Sequence, residues 1–186
     1  MKKLFFQVLY MAFLIPVLVC GQETLTYEEV IQVESMSKEE LFNRAKFWFV
    51  ASYNSYNDVL QLEDKENGVI VGKANIKYEP SFLSGSGTTR GVVSYMIKVS
   101  TKEGRYKYEI TDFFHDPYDK SNTISRYSVG MITNDEENPN PKAMAKGWSN
   151  KVWRDIKSQI ESEMSLLITS LTSEMNKPVE SEEDDW

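Results

Sequence analysis

The chain has 186 residues and a net charge of −7, with 41% hydrophobic and 12% aromatic residues. This length predicts one ordinary domain with accessory segments, and the apolar content is enough for a core without disulfides or metals. The acidic balance disfavours a duplex nucleic acid as partner, because no localised basic patch is visible in the sequence to offset the repulsion.

Residues 1–21 are predicted to be a signal peptide. Lys2 and Lys3 precede an almost unbroken apolar run over residues 4–19, and cleavage is expected before Gln22. The run is shorter than the ~20 residues that a bilayer core requires, so a retained membrane anchor is the weaker alternative. We therefore expect an exported protein, periplasmic or associated with the cell envelope. Loss of the two lysines would leave the mature chain with a net charge of −9.

The only cysteine, Cys20, stands at the same junction, where a lipid-modified cysteine would also be found. The residue before such a cysteine is normally small, and Val19 is not, so lipidation is the less favoured alternative. If cleavage follows Gly21, the mature chain has no thiol. Cysteine catalysis, disulfides and thiolate metal sites are then excluded.

A strand and a helix are predicted at the start of the mature chain. Residues 25–34 alternate between apolar and polar side chains, which is typical of a half-buried strand. Ser37 and Glu40 have the spacing of a capping box, which predicts a helix start. The helix is expected to end near Tyr56, and one apolar stripe is expected to cover a sheet: Leu41, Phe42, Ala45, Trp48, Phe49, Tyr53 and Tyr56.

Two strands are predicted next, over residues 59–63 and 69–78, joined by a turn containing Asn67-Gly68. Gly72 and Ala74 lie in the apolar row of the second strand. Because both are small, a helix carrying Trp48 and Phe49 could approach the sheet closely there.

Residues 79–90 are predicted to be a flexible connection, since they contain Pro80 and the sequence Ser-Gly-Ser-Gly-Thr-Thr over residues 84–89. A phosphate-binding loop would require a lysine after the glycines and a helix beyond them. A strand is predicted there, which argues against phosphate binding.

Residues 92–101 and 105–114 form the clearest predicted hairpin. Their alternation places apolar residues on one face and polar residues on the other, as expected for an antiparallel sheet with one solvated face. Seven residues are expected on the inner face: Val93, Tyr95, Ile97, Val99, Tyr106, Tyr108 and Ile110.

The last part of the chain is predicted to hold one weak strand, one loop and one long helix. The weak strand falls within residues 121–131, and the loop covers residues 134–142. Ser149 or Asn150 is expected to cap the helix, which the sequence Asn-Lys-Pro at residues 176–178 ends. Residues 177–186 are acidic and predicted to be a disordered tail.

The predicted elements follow the order strand, helix, four strands, helix. Both helices are amphipathic and the sheet has one apolar face, so both helices are expected to pack on that face. The sequence therefore predicts a single two-layer α+β domain over residues 22–176.

Residues 30–115 resemble a known family. The likeness is carried by the opening strand, the helix start from Ser37 to Leu41, the aromatic cluster at 47–49 and the strand from Gly68 to Tyr78. The family is a domain of unknown function found in exported bacterial envelope proteins, and it is described as having a TBP-like fold. The resemblance implies this fold and an exported location. It supplies no catalytic residues, and the nucleic-acid association of the fold's name should not transfer, because function belongs to sites.

Tyr95, Tyr106 and Tyr108 are the candidate ligand-binding residues, with Asp112 expected to continue their row. Their hydroxyls could orient an amphipathic ligand in a cavity between helices and sheet. The favoured alternative is a tyrosine-rich core whose hydroxyls reach the rim or a backbone carbonyl.

Phe47 and Val50 are the candidate partner surface, because they fall on the opposite side of the first helix from its main stripe. Cover by a loop is the favoured alternative.

His115, the only histidine, is followed by Asp116 and Asp119, which together suggest a zinc or manganese site. With no second histidine, a turn at Asp116-Pro117 is the favoured interpretation. The acidic residues 135–137 and Asn138 lack the spacing of a calcium loop. No serine nucleophile lies in a Gly-x-Ser-x-Gly elbow, and no pair of carboxylates is favoured by spacing. We expect no metal, no cofactor and no enzyme activity.

The sequence thus favours a non-enzymatic exported envelope protein that acts as an interaction or structural module. The alternative is a small-molecule or lipid-binding protein that uses the space between helices and sheet. A hydrolase would require His115 to lie beside acids in a cleft.

Overall fold

A computed structural model describes residues 23–53, 55–82, 86–118, 127–141 and 145–178. The predicted signal peptide, Cys20, Asp119 and the acidic residues after Pro178 lie outside this part of the chain. Within it, no helix is both long enough and apolar enough to cross a membrane.

The described residues form one antiparallel sheet and one layer of helices. The strands are β1 (Tyr27–Gln32), β2 (Leu60–Asp64), β3 (Val69–Tyr78), β4 (Gly91–Lys102), β5 (Arg105–Pro117) and β6 (Gly130–Met131). The helices are α1 (Lys38–Ser52), the short α2 (Tyr56–Val59) and α3 (Lys146–Met175), with a 3₁₀ turn at Ser86–Thr89. The strand order is β1-β5-β4-β3-β2, and β6 pairs with the end of β5. The predicted α+β class is confirmed.

Both long helices pack on the same face of the sheet, which we call the inner face. The ring of Phe49 on α1 lies so close to Gly72 of β3 that a Cβ atom there would be 2.7 Å from it. Asp155 on α3 accepts a hydrogen bond of 2.8 Å from the Tyr78 hydroxyl. Gly72 and Tyr78 share one side of β3 because they are six residues apart. The seat predicted for the first helix at Gly72 is therefore correct.

The start of α1 matches the prediction and its end does not. The Ser37 hydroxyl accepts a hydrogen bond from the backbone N–H of Glu40 at 3.1 Å, as an N-cap does. The helix ends at Ser52, so Tyr53 and Tyr56 lie beyond it. Tyr53 has an extended backbone, and its ring packs edge-to-face on Trp48.

The predicted start of α3 is wrong. The helix begins at Lys146, and Ser149 and Asn150 are buried in its first turns. Their side chains bond to Asn138 of the preceding loop, at 2.8 Å from Ser149 Oγ and 3.1 Å from Asn150 Oδ1. These two residues are therefore used to hold the loop, and the predicted stop after Met175 is correct.

The row of Tyr106, Tyr108 and Ile110 does not continue to Asp112, and this prediction is also wrong. The register between β4 and β5 shifts by one residue, so that Asp112 and Phe113 both stand opposite Tyr95. Asp112 has a φ of 58°, in the left-handed region, and is exposed. Such a bulge reverses which side chains point inward from that point on, so Phe113 enters the core in place of Asp112.

The last turn of α3 is bound to α1 through Arg44, which is 8% exposed. Its guanidinium donates to the backbone carbonyls of Met175, Lys177 and Pro178, and its Nε donates to Glu40 at 2.6 Å. Lys177 and Pro178, which were assigned to the tail, thus contact the folded domain.

The weak strand predicted over residues 121–131 is present at Gly130–Met131, and residues 121–126 lie outside the described ranges.

Candidate functional site

Tyr95, Tyr106 and Tyr108 all lie on the inner face, as predicted, and none is more than 5% exposed. The Tyr95 hydroxyl is 3.3 Å from the hydroxyl of Tyr53, and its ring stacks on Phe113 with centroids 5.7 Å apart. Burial raises the pKa of both hydroxyls in this pair. They are therefore neutral at physiological pH, and their surroundings are filled by aromatic rings.

The other two hydroxyls point to different neighbours. Tyr108 donates to Glu29 of β1 at 3.2 Å. Burial, and to a smaller extent this bond to Glu29, raises the pKa of Tyr108 to about 12. The Tyr106 hydroxyl is buried and has no hydrogen-bond partner among the described residues. Thr172 of α3 approaches it and partly offsets the rise in its pKa that burial causes, but it does not reach hydrogen-bond geometry.

These contacts separate the candidate ligand-binding residues from one another. Tyr95 bonds within the core, Tyr108 bonds to the edge strand, and Asp112 is exposed. The arrangement is a tyrosine-rich core in which two of the three hydroxyls bond to a neighbouring side chain. Ligand binding between helices and sheet stays a prediction, without Asp112 as a contributor.

His115 is placed differently from the predicted turn. It lies within β5, past the bulge, and is completely buried. Its Nε2 is 2.9 Å from the carbonyl oxygen of Thr89, and its Nδ1 accepts the backbone N–H of Val129 at 3.2 Å. The neutral ring with its proton on Nε2 satisfies both contacts. Desolvation by burial lowers the pKa of His115 to about 4, so the ring connects three segments as a neutral group.

Two acidic side chains of the disfavoured calcium candidate engage protein groups. Asp135 accepts the Thr133 hydroxyl at 2.7 Å, and Glu137 pairs with Lys146 at 2.7 Å. In the part of the chain that the structure describes, no three His, Cys, Asp or Glu side chains are grouped so that they could hold a metal ion.

The predicted partner surface is exposed in the structure, where Phe47 is 57% exposed and Val50 is 49% exposed. The Lys177 ammonium lies over the Phe47 ring, 5.6 Å from its centroid. Cover by a described loop, the favoured alternative, is not observed.

Leu166 of α3 is a third exposed apolar residue on the helices, at 69% exposure. The Trp48 indole donates to Ser170 at 3.1 Å and Arg44 reaches Met175, so the two helices run antiparallel. One turn beyond Ser170, Leu166 is level with the end of α1. We call Phe47, Val50 and Leu166 the helical patch. The sequence did not single out Leu166, although its place outside the apolar stripe of α3 was a usable signal.

The opposite, outer face of the sheet carries a second feature that sequence reasoning missed. Alternation along β3, β4 and β5 brings six basic residues to this face, where the described helices do not pack: Lys73, Lys77, Lys98, Lys102, Arg105 and Lys107. They are spread over 35 positions of the sequence and therefore form no basic run. The signal in the sequence was that the basic residues of each strand are an even number of positions apart, so that they point to the same face.

Comparisons with known proteins identify the fold family. A domain of unknown function (DUF4468) with TBP-like fold matches residues 27–116. The chain is similar to the crystal structure of a TBP-like protein from Parabacteroides distasonis, with 18% identity and a TM-score of 0.55, over 80% of this chain and 93% of that one. It is also similar to a DUF4468 family protein from Bacteroides ovatus, with 18% identity and a TM-score of 0.49, over 85% of this chain and 90% of that one. No curated protein matches the chain. Residues 27–116 therefore match the DUF4468 family model, and the chain has a TBP-like fold.

Proposed function

We propose that the chain is a non-enzymatic protein of the cell envelope that acts as an interaction module, and that the helical patch binds its protein partner. The exposure of Phe47, at 57% of its surface, is the observation that carries this proposal. An aromatic ring left in water on a rigid helix is a favourable anchor for a partner, because burying it releases apolar surface at little cost in conformational entropy.

Two further observations support the helical patch as a binding surface. Trp48, next to Phe47, is 2% exposed and bonded to Ser170, so the helix that presents the patch is firmly attached to α3. Lys177 lies over the Phe47 ring and Glu174 pairs with Lys177. A hydrophobic centre with a charged rim is typical of protein interfaces. Export is supported by the basic and apolar pattern of residues 1–21.

The partner test uses three variants of the tagged chain expressed in its own cells and crosslinked before purification. Phe47→Ser and Leu166→Ser change the helical patch, and Tyr118→Ser changes an exposed aromatic residue just past the end of β5, 49% exposed. We expect both patch variants to lose the same crosslinked species, the Tyr118 variant to retain it, and all three to melt within about 2 °C of the wild type.

Crosslinking that is equal in all variants would place the partner elsewhere. A melting temperature that falls sharply for Phe47→Ser would show that the ring is needed for folding rather than for binding. The location is tested separately by the intact mass of the purified protein. Removal of residues 1–21 is expected. A chain that instead begins at Cys20 and carries a diacylglycerol on it would identify a lipoprotein.

A further inference from the structure

We propose that the outer face of the sheet binds an anionic lipid surface. This binding is independent of the helical patch, which lies on the other side of the molecule. It uses the lysine and arginine side chains and the exposed apolar side chains that the strands bring together on one face.

The cations are concentrated at the end of the β4–β5 hairpin. Lys102 stands directly opposite Arg105, and Lys98 and Lys107 follow on the same face of the same two strands. Together with Val30 and Val69 they line a groove of about 460 Å³. This end of the sheet therefore offers several positive charges on adjacent strands, about 5 Å apart across the sheet.

Only part of this charge is neutralised by the protein. Lys98 pairs with Glu109 at 3.1 Å, and Lys107 pairs with Glu28 at 2.8 Å. Lys102 and Arg105 form no ion pair with any residue in the described ranges, and both are exposed. Two cations at the tip of the hairpin are thus free to meet an external anion.

Apolar side chains are exposed on the same face. Val30 stands opposite Lys107 in the sheet, and Phe114 stands opposite Met131. Val30 is 52% exposed, Phe114 38% and Met131 41%, and Leu62 on the far strand is 49% exposed. Half of the eight exposed large hydrophobic residues in the described part of the chain therefore lie on this one face of the sheet.

The combination of charge and apolar surface favours a lipid bilayer over a soluble polyanion. Cations attract lipid phosphates, while apolar side chains on the same face are stabilised only if they enter the boundary between headgroups and acyl chains. The overall acidity of the chain does not prevent this. Glu28 and Glu109, which lie on the outer face, are already paired with lysines. Acidic residues on the outside of the helix layer are separated from this face by at least the thickness of a helix, about 10 Å, whereas the Debye length at physiological salt is about 8 Å.

The test is cosedimentation of residues 22–186 with lipid vesicles. These residues contain every described element of the fold. Vesicles of phosphatidylcholine alone are compared with vesicles that contain about one third phosphatidylglycerol, at about 0.1 M salt. We expect binding to the anionic vesicles only. The double variant Lys102→Gln/Arg105→Gln should lower the partition coefficient about 30-fold, as the contribution of two cations near an anionic surface implies.

A matched control removes one lysine and one arginine from the outside of α3, as Lys151→Gln/Arg154→Gln, and should leave binding within about twofold of the wild type. A second pair, Val30→Ser/Phe114→Ser, should also weaken binding to vesicles while leaving the net charge unchanged. Circular dichroism of each variant establishes that it is folded.

Three results would each overturn the proposal. The wild type could fail to bind the anionic vesicles, or the control pair could lose as much affinity as the hairpin pair. The third result is full displacement by soluble polyphosphate together with no effect of Val30→Ser/Phe114→Ser, because this pattern identifies a site for soluble anions. None of these results bears on the crosslinking test of the helical patch, so the two proposals can fail separately.

Discussion

Tyr78 and Tyr106 are buried to the same degree, at 1% exposure each, but their hydroxyls have different surroundings. Tyr78 donates to the Asp155 carboxylate at 2.8 Å, whereas the Tyr106 hydroxyl has no hydrogen-bond partner in the part of the chain that the structure describes. A buried hydroxyl stabilises a fold only if it is paired, since burial removes its bonds to water. Burial alone therefore does not predict what each tyrosine contributes.

Replacement of each tyrosine by phenylalanine separates these cases. Tyr106→Phe is expected to leave the free energy of unfolding unchanged or to raise it by up to about 1 kcal/mol, because no bond is lost. Tyr78→Phe is expected to lower it by about 2 kcal/mol, because a bond to a charged group is lost. Urea denaturation of both variants measures the difference. Equal losses would show that the Tyr106 hydroxyl has a partner in solution.

At the scale of elements, the closest approach of helix and sheet is at Gly72. A Cβ atom at this position would lie 2.7 Å from the Phe49 ring and 3.0 Å from the Val59 side chain. Both side chains belong to packed residues and have little room to move. The glycine is therefore required by the packing of α1 on β3.

Gly72→Ala is consequently expected to destabilise the protein by about 1–3 kcal/mol through overpacking. Gly147→Ala is the matched control, because no atom of another described segment lies within 4 Å of the added Cβ in the first turn of α3. It is expected to raise the free energy of unfolding by up to about 1 kcal/mol, since alanine loses less conformational entropy in a helix. Thermal denaturation of the two variants tests this, and a stabilised Gly72→Ala protein would contradict the packing argument.

At the scale of the whole molecule, His115 links the acid stability of the protein to its tertiary structure. The neutral ring donates to Thr89 and accepts from Val129, so one side chain connects β5 to two segments distant in sequence. Protonation of Nδ1 would place a positive donor against the Val129 N–H. Burial lowers the pKa of His115 from 6.5 to about 4 in the folded protein, although the bond to Thr89 and the charge of Asp116 act in the opposite direction.

Because the pKa of His115 is lower in the folded state, the unfolded chain takes up the proton first as the pH falls. The contribution of neutral His115 is complete above pH ~6.5, decreases down to pH ~4 and is lost below it. Between pH ~7 and pH ~4.5, the wild type should lose about 2.5 kcal/mol more stability than His115→Gln, which does not titrate. Urea denaturation at several pH values measures both slopes, and parallel slopes would contradict a buried neutral His115.

Much of the architecture was predictable because its causes are local. Period-two alternation marks β3, β4 and most of β5, and apolar spacing marks both long helices, since each pattern records which side chains must leave water. The Ser37 cap acts within four residues, and its bond to Glu40 is as expected. The family resemblance depends on the same local patterns.

The features that were not predictable depend on contacts between distant parts of the chain. Asp112 left the inner row because β5 has one residue more than β4 between fixed pairs, which is a property of two strands and not of one. Ser149 and Asn150 lie inside α3 because Asn138 bonds to them. Neither arrangement leaves a signal in its own segment.

The sequence by itself determined the α+β class, the order of the strands and helices and the inner face of the sheet, because burial of apolar side chains imposes a period that a single segment displays. Only the tertiary structure decided that Phe47 and Leu166 stay exposed, that His115 is buried, and that cations from three strands share one face. Each of these depends on register and on helix pairing, which place residues together through bonds between segments far apart in the chain.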